Sequence, residues 1–296
     1  MLRLRYDSAF YSDVGIPTRW RKEQRVNSLE GKVAIVTGAG SVDSGSGTGD
    51  AMSILFARQG ADVVLFDIDA ERANRTLDTI NAEGGNAAVV VGDVSVAEDC
   101  EKAANTAVEQ FGGLHVLVNN VAILKPGNVV EVTEEDWDKV FAVNVKSMML
   151  MSKYSIPEMI RSGGGSIINI SSNEGQRGQD WLPFVAYSTS KGAAVTLTKS
   201  MAVQHGKDNI RVNCIAPGMI FTPLIAPHIS QETRDLRRMG APLNQEGTAW
   251  DVASAAAFLA SDDSRWITGA TLPVDGGLLA TQSLSLVERF RGSSDE

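Results

Sequence analysis

Apolar positions recur along most of this chain in two alternating patterns. Short runs of consecutive, often β-branched apolar residues read as strands buried on both faces, and stretches with apolar residues three and four apart read as helices packed on one side. Residues 33–37 (Val-Ala-Ile-Val-Thr) open the series as a strand. A helix follows over 48–59, with Ala51, Ile54, Leu55 and Ala57 on its apolar stripe and Gly60 closing it. The alternation continues with strands over 61–67, 86–91, 115–119, 166–171, 210–215 and 270–274, and with helices over 70–82, 96–111, 134–160, 187–205 and 248–260. Nearly continuous apolar strands separated by helices predict the α/β class: a doubly wound, seven-stranded parallel sheet with helices on both faces. Residues 30–280 form this single domain, between an extension over 1–29 and a tail over 281–296.

Two segments fall outside the alternation. The extension holds Tyr6, Phe10, Tyr11 and Trp20. It reads either as a mobile leader or as an arm whose aromatics pack on its own domain or a neighbouring subunit. Residues 222–247 carry Pro223, Pro227 and Pro242 around a short polar helical stretch and read as a lid or binding loop.

Composition narrows the function classes. Among 296 residues, Lys and Arg number 27 against 36 Asp and Glu, a net charge of −9 that leaves no basic footprint for nucleic acid or acidic lipid. Cys100 and Cys214 lie far apart, and His115, His205 and His228 have no ligand spacing, so no disulfide framework or metal site is expected. No apolar run reaches the roughly 18 residues of a membrane span. The leader lacks the apolar stretch of a signal peptide and carries Asp7, Asp13 and Glu23, which makes a cytoplasmic protein the expectation.

The chemistry begins after the first strand. Thr37 to Gly49 is glycine-rich and opens a helix, a junction that lets backbone approach a pyrophosphate at a helix N-terminus. The next strand ends in Asp67, where an acid accepts hydrogen bonds from ribose hydroxyls; its other reading is a strand-end turn or helix cap. A G-x-x-x-x-G-K-[ST] loop and a G-x-S-x-G elbow are both absent from the sequence, which points to a dinucleotide and away from nucleotide hydrolysis or acyl-enzyme chemistry.

These residues resemble the short-chain dehydrogenase/reductase family in its single-domain branch. Thr37-Gly38, Gly40 and Gly47-Thr48-Gly49 match its glycine motif, with about five extra residues over 42–46; Gly45 offers another register, but the following helix favours Gly47. Asp93-Val94 matches the pair at the adenine edge, and Asn119-Asn120-Val121-Ala122 resembles the family's N-N-A-G. Asn144 matches the active-site asparagine, and Tyr187-Ser188-Thr189-Ser190-Lys191 is the Y-x-x-x-K signature. Pro217, Gly218, Ile220 and Thr222 match the stretch that holds the nicotinamide, and Val274-Asp275-Gly276-Gly277 is the usual ending. Either Ser171 or Ser172 can be the serine; Ser172 is chosen because it directly precedes the Asn173-Glu174-Gly175 turn.

The resemblance implies hydride transfer between a nicotinamide cofactor and an alcohol or ketone. Tyr187 would carry the hydroxyl proton, Lys191 would favour its phenolate and bind the nicotinamide ribose, Ser172 would donate to the substrate oxygen, and Asn144 would hold a water on the proton path. Asp67 and Asp69 at the second strand's end, with no Arg or Lys recognised beside them, favour NAD over NADP. Glu174, 179–184 and 219–225 are the wall candidates; Trp181, Leu182, Phe184, Met219 and Phe221 suggest an apolar pocket for a hydrophobic or cyclic secondary alcohol. Rival expectations are an NAD-retaining epimerase or dehydratase, whose relatives usually carry a larger C-terminal substrate domain, and a non-catalytic NAD(H) sensor. A homotetramer or homodimer is expected, with 148–151 and 195–201 compatible with subunit contacts.

Overall fold

The computed structural model describes residues 28–42, 45–179, 183–223, 225–226, 229–282 and 285. The aromatics of the N-terminal extension, Asp43, Trp181, Leu182, Pro227 and nearly all of the tail lie outside the described residues.

Strand β1 (Val33–Thr37) leads into helix α1 (Thr48–Arg58), β2 (Asp62–Asp67) into α2 (Ala70–Ala82), and β3 (Asn86–Val91) into α3 (Ala97–Phe111). β4 (Val116–Asn119) is followed by α4 (Glu134–Phe141), a π-helical segment Ala142–Lys146, and α5 (Ser147–Arg161). Then come β5 (Gly165–Ile170), α6 (Val185–His205), β6 (Ile210–Pro217), β7 (Ile220–Phe221), α7 (Gln231–Gly240), β8 (Gly247–Thr248), α8 (Ala249–Ala260) and β9 (Thr271–Val274). The main sheet runs β3-β2-β1-β4-β5-β6-β9, with every pairing parallel; β7 and β8 form a separate short ribbon. This is the expected doubly wound, seven-stranded sheet.

Alternation along β2 shows why both faces are covered. Val63 and Leu65 pack into the layer with Phe56 of α1 and Val252 of α8, whereas Val64 and Phe66 pack into the layer with Cys100 of α3 and Met151 of α5. The sheet order reverses direction between β1 and β4. Helices diverge to opposite faces there, and a crevice opens beyond the carboxyl ends of those strands.

The helix expected over 134–160 is broken by the π-helical segment. Inside it, the Asn144 side chain donates to the Ile123 carbonyl (3.0 Å) and accepts from the Ile123 N–H (2.8 Å). Single π-turns inside α-helices commonly mark such side-chain-anchored, functional positions. Within the stretches expected to be compatible with subunit contacts, Met148, Leu150, Met151 and Met201 are buried in the chain's own core; Met149 is exposed, as are Ile160 and Val203 on the same helices. No helix among the described residues is long and apolar enough to cross a membrane.

Candidate active site

The crevice is a cavity of about 830 Å³. Its walls include Gly38, Gly40, Gly47, Thr48, Gly49, Asp67, Asp93, Val94 and Asn120 at one end, and Ser172, Tyr187, Lys191, Pro217, Gly218, Ile220 and Thr222 at the other. The structure thus brings nearly all of the sequence-derived site residues to one cleft; Asn144 lies behind the wall, fully buried.

The glycine loop fits an anionic ligand's backbone cradle. A Cβ on Gly49 would lie 1.8 Å from the Gly38 carbonyl oxygen, so this close approach of two chain segments admits glycine only. Gly47, the N-cap of α1, supplies no side-chain cap, so first-turn N–H groups remain for a ligand. Thr48 Oγ1 donates to Asn120 Oδ1 (2.7 Å), and Asn120 Nδ2 donates to the Thr37 carbonyl (3.0 Å). Asn120 therefore ties the ends of β1 and β4 to the start of α1, a scaffolding task that spacing alone does not reveal.

Asp67 is fixed by two backbone donors: the Gly40 N–H reaches Oδ2 (2.7 Å) and the Asp69 N–H reaches Oδ1 (3.0 Å). Each carboxylate oxygen keeps a lone pair for a ligand hydroxyl. Asp93 accepts from the Ser95 N–H (2.8 Å) and hydroxyl (2.7 Å). Burial by itself would raise its pKa, but these bonds and the Lys139 charge outweigh it and hold Asp93 below its ordinary value.

At the other end, hydrogen bonding distinguishes the two serines. Ser171 Oγ is spent on the Lys191 carbonyl (2.7 Å), while Ser172 faces Tyr187 and lowers its pKa by hydrogen bonding. Both serines border the cleft, just beyond the end of β5, but only the Ser172 hydroxyl engages Tyr187. Lys191 is almost wholly buried, and its Nζ donates to the Ile170 carbonyl (2.7 Å) and lies 5.5 Å from the Tyr187 ring centroid. Burial lowers Lys191 to about 8 and raises Tyr187 to about 12, with Ser172 opposing the tyrosine's shift and the Glu174 charge adding to it. The phenol is thus shifted away from ionisation in this structure, opposite to the direction expected from the lysine's charge alone. Asn144 completes the cluster: its Nδ2 also donates to Ser190 Oγ (3.0 Å), which in turn donates to the Tyr187 carbonyl (2.6 Å). Both of its amide hydrogens are engaged, and the side chain ties Ile123 to α6.

Several cleft residues escaped the sequence reading. Ile68, 70% exposed, and Arg72 line the ribose end, and Arg237 of α7 lines the other. Arg72 sits in the first turn of the helix after Asp67, a position that the fold places beside the strand end, which is the signal that could have found it. Asp50 also borders the cleft, only 1% exposed, with neither carboxylate oxygen hydrogen-bonded. Burial pushes its carboxyl up to about 6, against smaller pulls from backbone N–H groups and the Ser46 hydroxyl, none aligned closely enough to bond. The proposed apolar wall changes too. Met219 lines a second cavity of about 430 Å³ beside β9, and Phe221 is covered by the Arg234 guanidinium at 3.7 Å. Ile220, Thr222 and Ile225 of the expected 219–225 wall do line the cleft, joined by Ile123 and Leu124.

A family model described as Enoyl-(Acyl carrier protein) reductase matches residues 42–279. The chain is 39% identical over 254 residues to a 2,5-dichloro-2,5-cyclohexadiene-1,4-diol dehydrogenase of Sphingobium indicum, covering 85% of this chain and 97% of that one. It is 37% identical over 251 residues to a cyclohexanol dehydrogenase of an Acinetobacter species, covering 84% and 96%. Among solved structures, a Burkholderia xenovorans protein described as a short-chain dehydrogenase/reductase superposes with a TM-score of 0.81 at 36% identity, covering 86% and 99%. An Agrobacterium tumefaciens protein described as a 2-deoxy-D-gluconate 3-dehydrogenase, with NADP bound, gives 0.76 at 34% identity, covering 87% and 100%. With a family model over most of the domain and relatives at 37–39% identity across most of both chains, the chain belongs to the short-chain dehydrogenase/reductase family of oxidoreductases.

Proposed function

We propose that this protein is an NAD-dependent oxidoreductase that interconverts a cyclic or hydrophobic secondary alcohol and its ketone. The observation that carries the reading is the convergence of Ser172, Tyr187 and Lys191 in the cleft that also holds the glycine cradle and Asp67. The dinucleotide, when bound, supplies the site that accepts or delivers hydride. Tyr187 exchanges the hydroxyl proton at its phenolic oxygen, and Ser172 donates to the substrate oxygen as charge develops on it. Lys191 presents its ammonium beside the phenol and binds ribose hydroxyls. Asn144 and Ser190 keep the Tyr187 backbone in place.

NAD is favoured over NADP because Asp67, held rigidly, accepts from ribose hydroxyls and repels a 2′-phosphate. The relatives that act on cyclohexanol and on a cyclic diol support the substrate class, as do Ile123, Leu124 and Ile225 in the cleft wall. We expect the protein to assemble as a homo-oligomer, with Met149 and Val203 on the helix faces available for contact. Absorbance at 340 nm with NAD or NADP and a panel of cyclic and acyclic secondary alcohols tests the reading. NAD reduction with cyclic alcohols supports it; tight NADH binding without turnover of any alcohol or ketone would instead indicate a sensor.

A further inference from the structure

Asp67 does not stand alone at the ribose end of the cleft. If a Cβ were placed on Gly40, Arg72 Cβ would lie 2.6 Å from it and Asp67 Oδ2 2.8 Å from it, so both side chains crowd a single point. Arg72 is thus rooted against the carboxylate that reads the ribose, and its side chain lines the same cavity. Its guanidinium is not aimed at that carboxylate's ligand side. It turns to Asp69, with Nε 3.2 Å from Oδ2. Asp69 also caps α2, its Oδ1 accepting from the Arg72 N–H at 3.1 Å. One carboxylate therefore grips Arg72 twice, by the main chain and by the side chain. The pair is about half exposed, so the grip is reversible by rotation of the arginine side chain.

We propose that the Asp69–Arg72 pair is a second determinant of cofactor choice: Asp69 holds in reserve a cation that would otherwise serve a 2′-phosphate. Wild-type discrimination then has two parts. Asp67 repels the phosphate directly, and Asp69 occupies the arginine that could compensate. This rests on the dinucleotide reading of the cleft. It also revises the expectation that no Arg or Lys lies beside these two acids, since Arg72 does.

The guanidinium suits the role, since its planar donor fork matches phosphate oxygens bidentately. Arg75 on the next turn is committed elsewhere, donating to the Ser41 carbonyl (3.2 Å) and to Glu71 (2.8 Å).

The test is fluorescence titration of NADH and NADPH into wild type, Asp69→Asn, Arg72→Ala, Asp69→Asn/Arg72→Ala and Asp67→Ser, with 2′,5′-ADP and ADP as competitors that isolate the phosphate's contribution. Asparagine keeps the helix cap while removing the charge, and thermal melting checks that each variant folds. Asp69→Asn should shift the NADPH-to-NADH affinity ratio toward NADPH by about tenfold, with a matching gain for 2′,5′-ADP over ADP. Arg72→Ala should cancel that gain in the double variant. Asp67→Ser should also shift the ratio toward NADPH, because it removes the repulsion, while Arg72 stays held by Asp69. An unchanged ratio in a folded Asp69→Asn, or a gain that survives loss of Arg72, overturns the inference while leaving the dinucleotide reading intact. Failure of wild type to bind either dinucleotide overturns both.

Discussion

Tyr187 and Lys191 are each pushed toward their neutral forms by burial, to about 12 and about 8. On the proposed mechanism, this neutral phenol carries the proton exchanged with the substrate oxygen. Tyr187→Phe removes this proton carrier and should lower kcat at least ~10²-fold, with NADH affinity within a few fold of wild type. Lys191→Ala should damage both turnover and NADH affinity, and stopped-flow kinetics with NADH titration separates the two effects. Asp50 makes a second, independent prediction. Its carboxyl titrates near 6 when folded and near its ordinary 3.8 when unfolded. Between those values the folded chain keeps a proton that the unfolded chain has lost, so stability falls as pH rises through about 4 to 6 and stays lower above it. Asp50→Asn should abolish this slope and raise stability at pH 7 by about 2 kcal/mol, while changing little at pH 4. Urea melts across pH 4–7.5 check it; equal slopes in variant and wild type would refute it. The residue types at these positions were plain in the sequence, and their titration was not, because burial sets it.

Helices and strands were read from periodicity with boundaries that mostly differ by one or two residues from the observed ones, since strand runs and glycine stops are local signals. Gly112 illustrates the point: it ends α3 with φ +84, a conformation that favours glycine. The glycine loop is less forgiving. Gly49→Ala would force backbone segments apart, because the added atom would meet the Gly38 carbonyl oxygen at 1.8 Å. It should cost several kcal/mol and eliminate NADH binding. Gly206→Ala is the contrast: its φ is −60, nothing lies within 4 Å of its Cβ position, and stability should rise by about 0.5 kcal/mol. Paired thermal melts decide both. The π-helical turn at Asn144 was not legible, because its cause lies in Ile123 and Ser190, distant in sequence and brought together only by packing.

Across the whole molecule, Arg234 of α7 is tied to Glu246 within the segment 222–247, which borders the cleft through Thr222 and Arg237. Its Nη2 and Nε reach Glu246 Oε2 at 2.7 and 3.0 Å, and its guanidinium covers Phe221. Glu246 is mostly buried and its other oxygen has no hydrogen bond, so losing the arginine strands a carboxylate. Arg234→Ala should destabilise by about 1–2 kcal/mol and speed limited proteolysis within 222–247. Protection unchanged from wild type would show that this pair does not hold the segment. The short polar helix was visible as a stretch between prolines, but its clamp on the β7–β8 ribbon was not.

The sequence alone determined the layered α/β architecture, the glycine cradle, and the Tyr-Lys pair one helical turn apart. Each depends on residue type at short spacing, which local sterics and hydrophobic periodicity translate directly into structure. Only the tertiary fold decided which of two adjacent serines engages Tyr187, and that Asn144 ties Ile123 to α6. It also left Arg72 beside Asp67, buried Asp50, and turned Met219 and Phe221 away from the cleft. Those outcomes depend on orientation, burial and contacts between segments far apart in the chain. No spacing rule carries that information, because it arises when the sheet closes and the helices settle on its two faces.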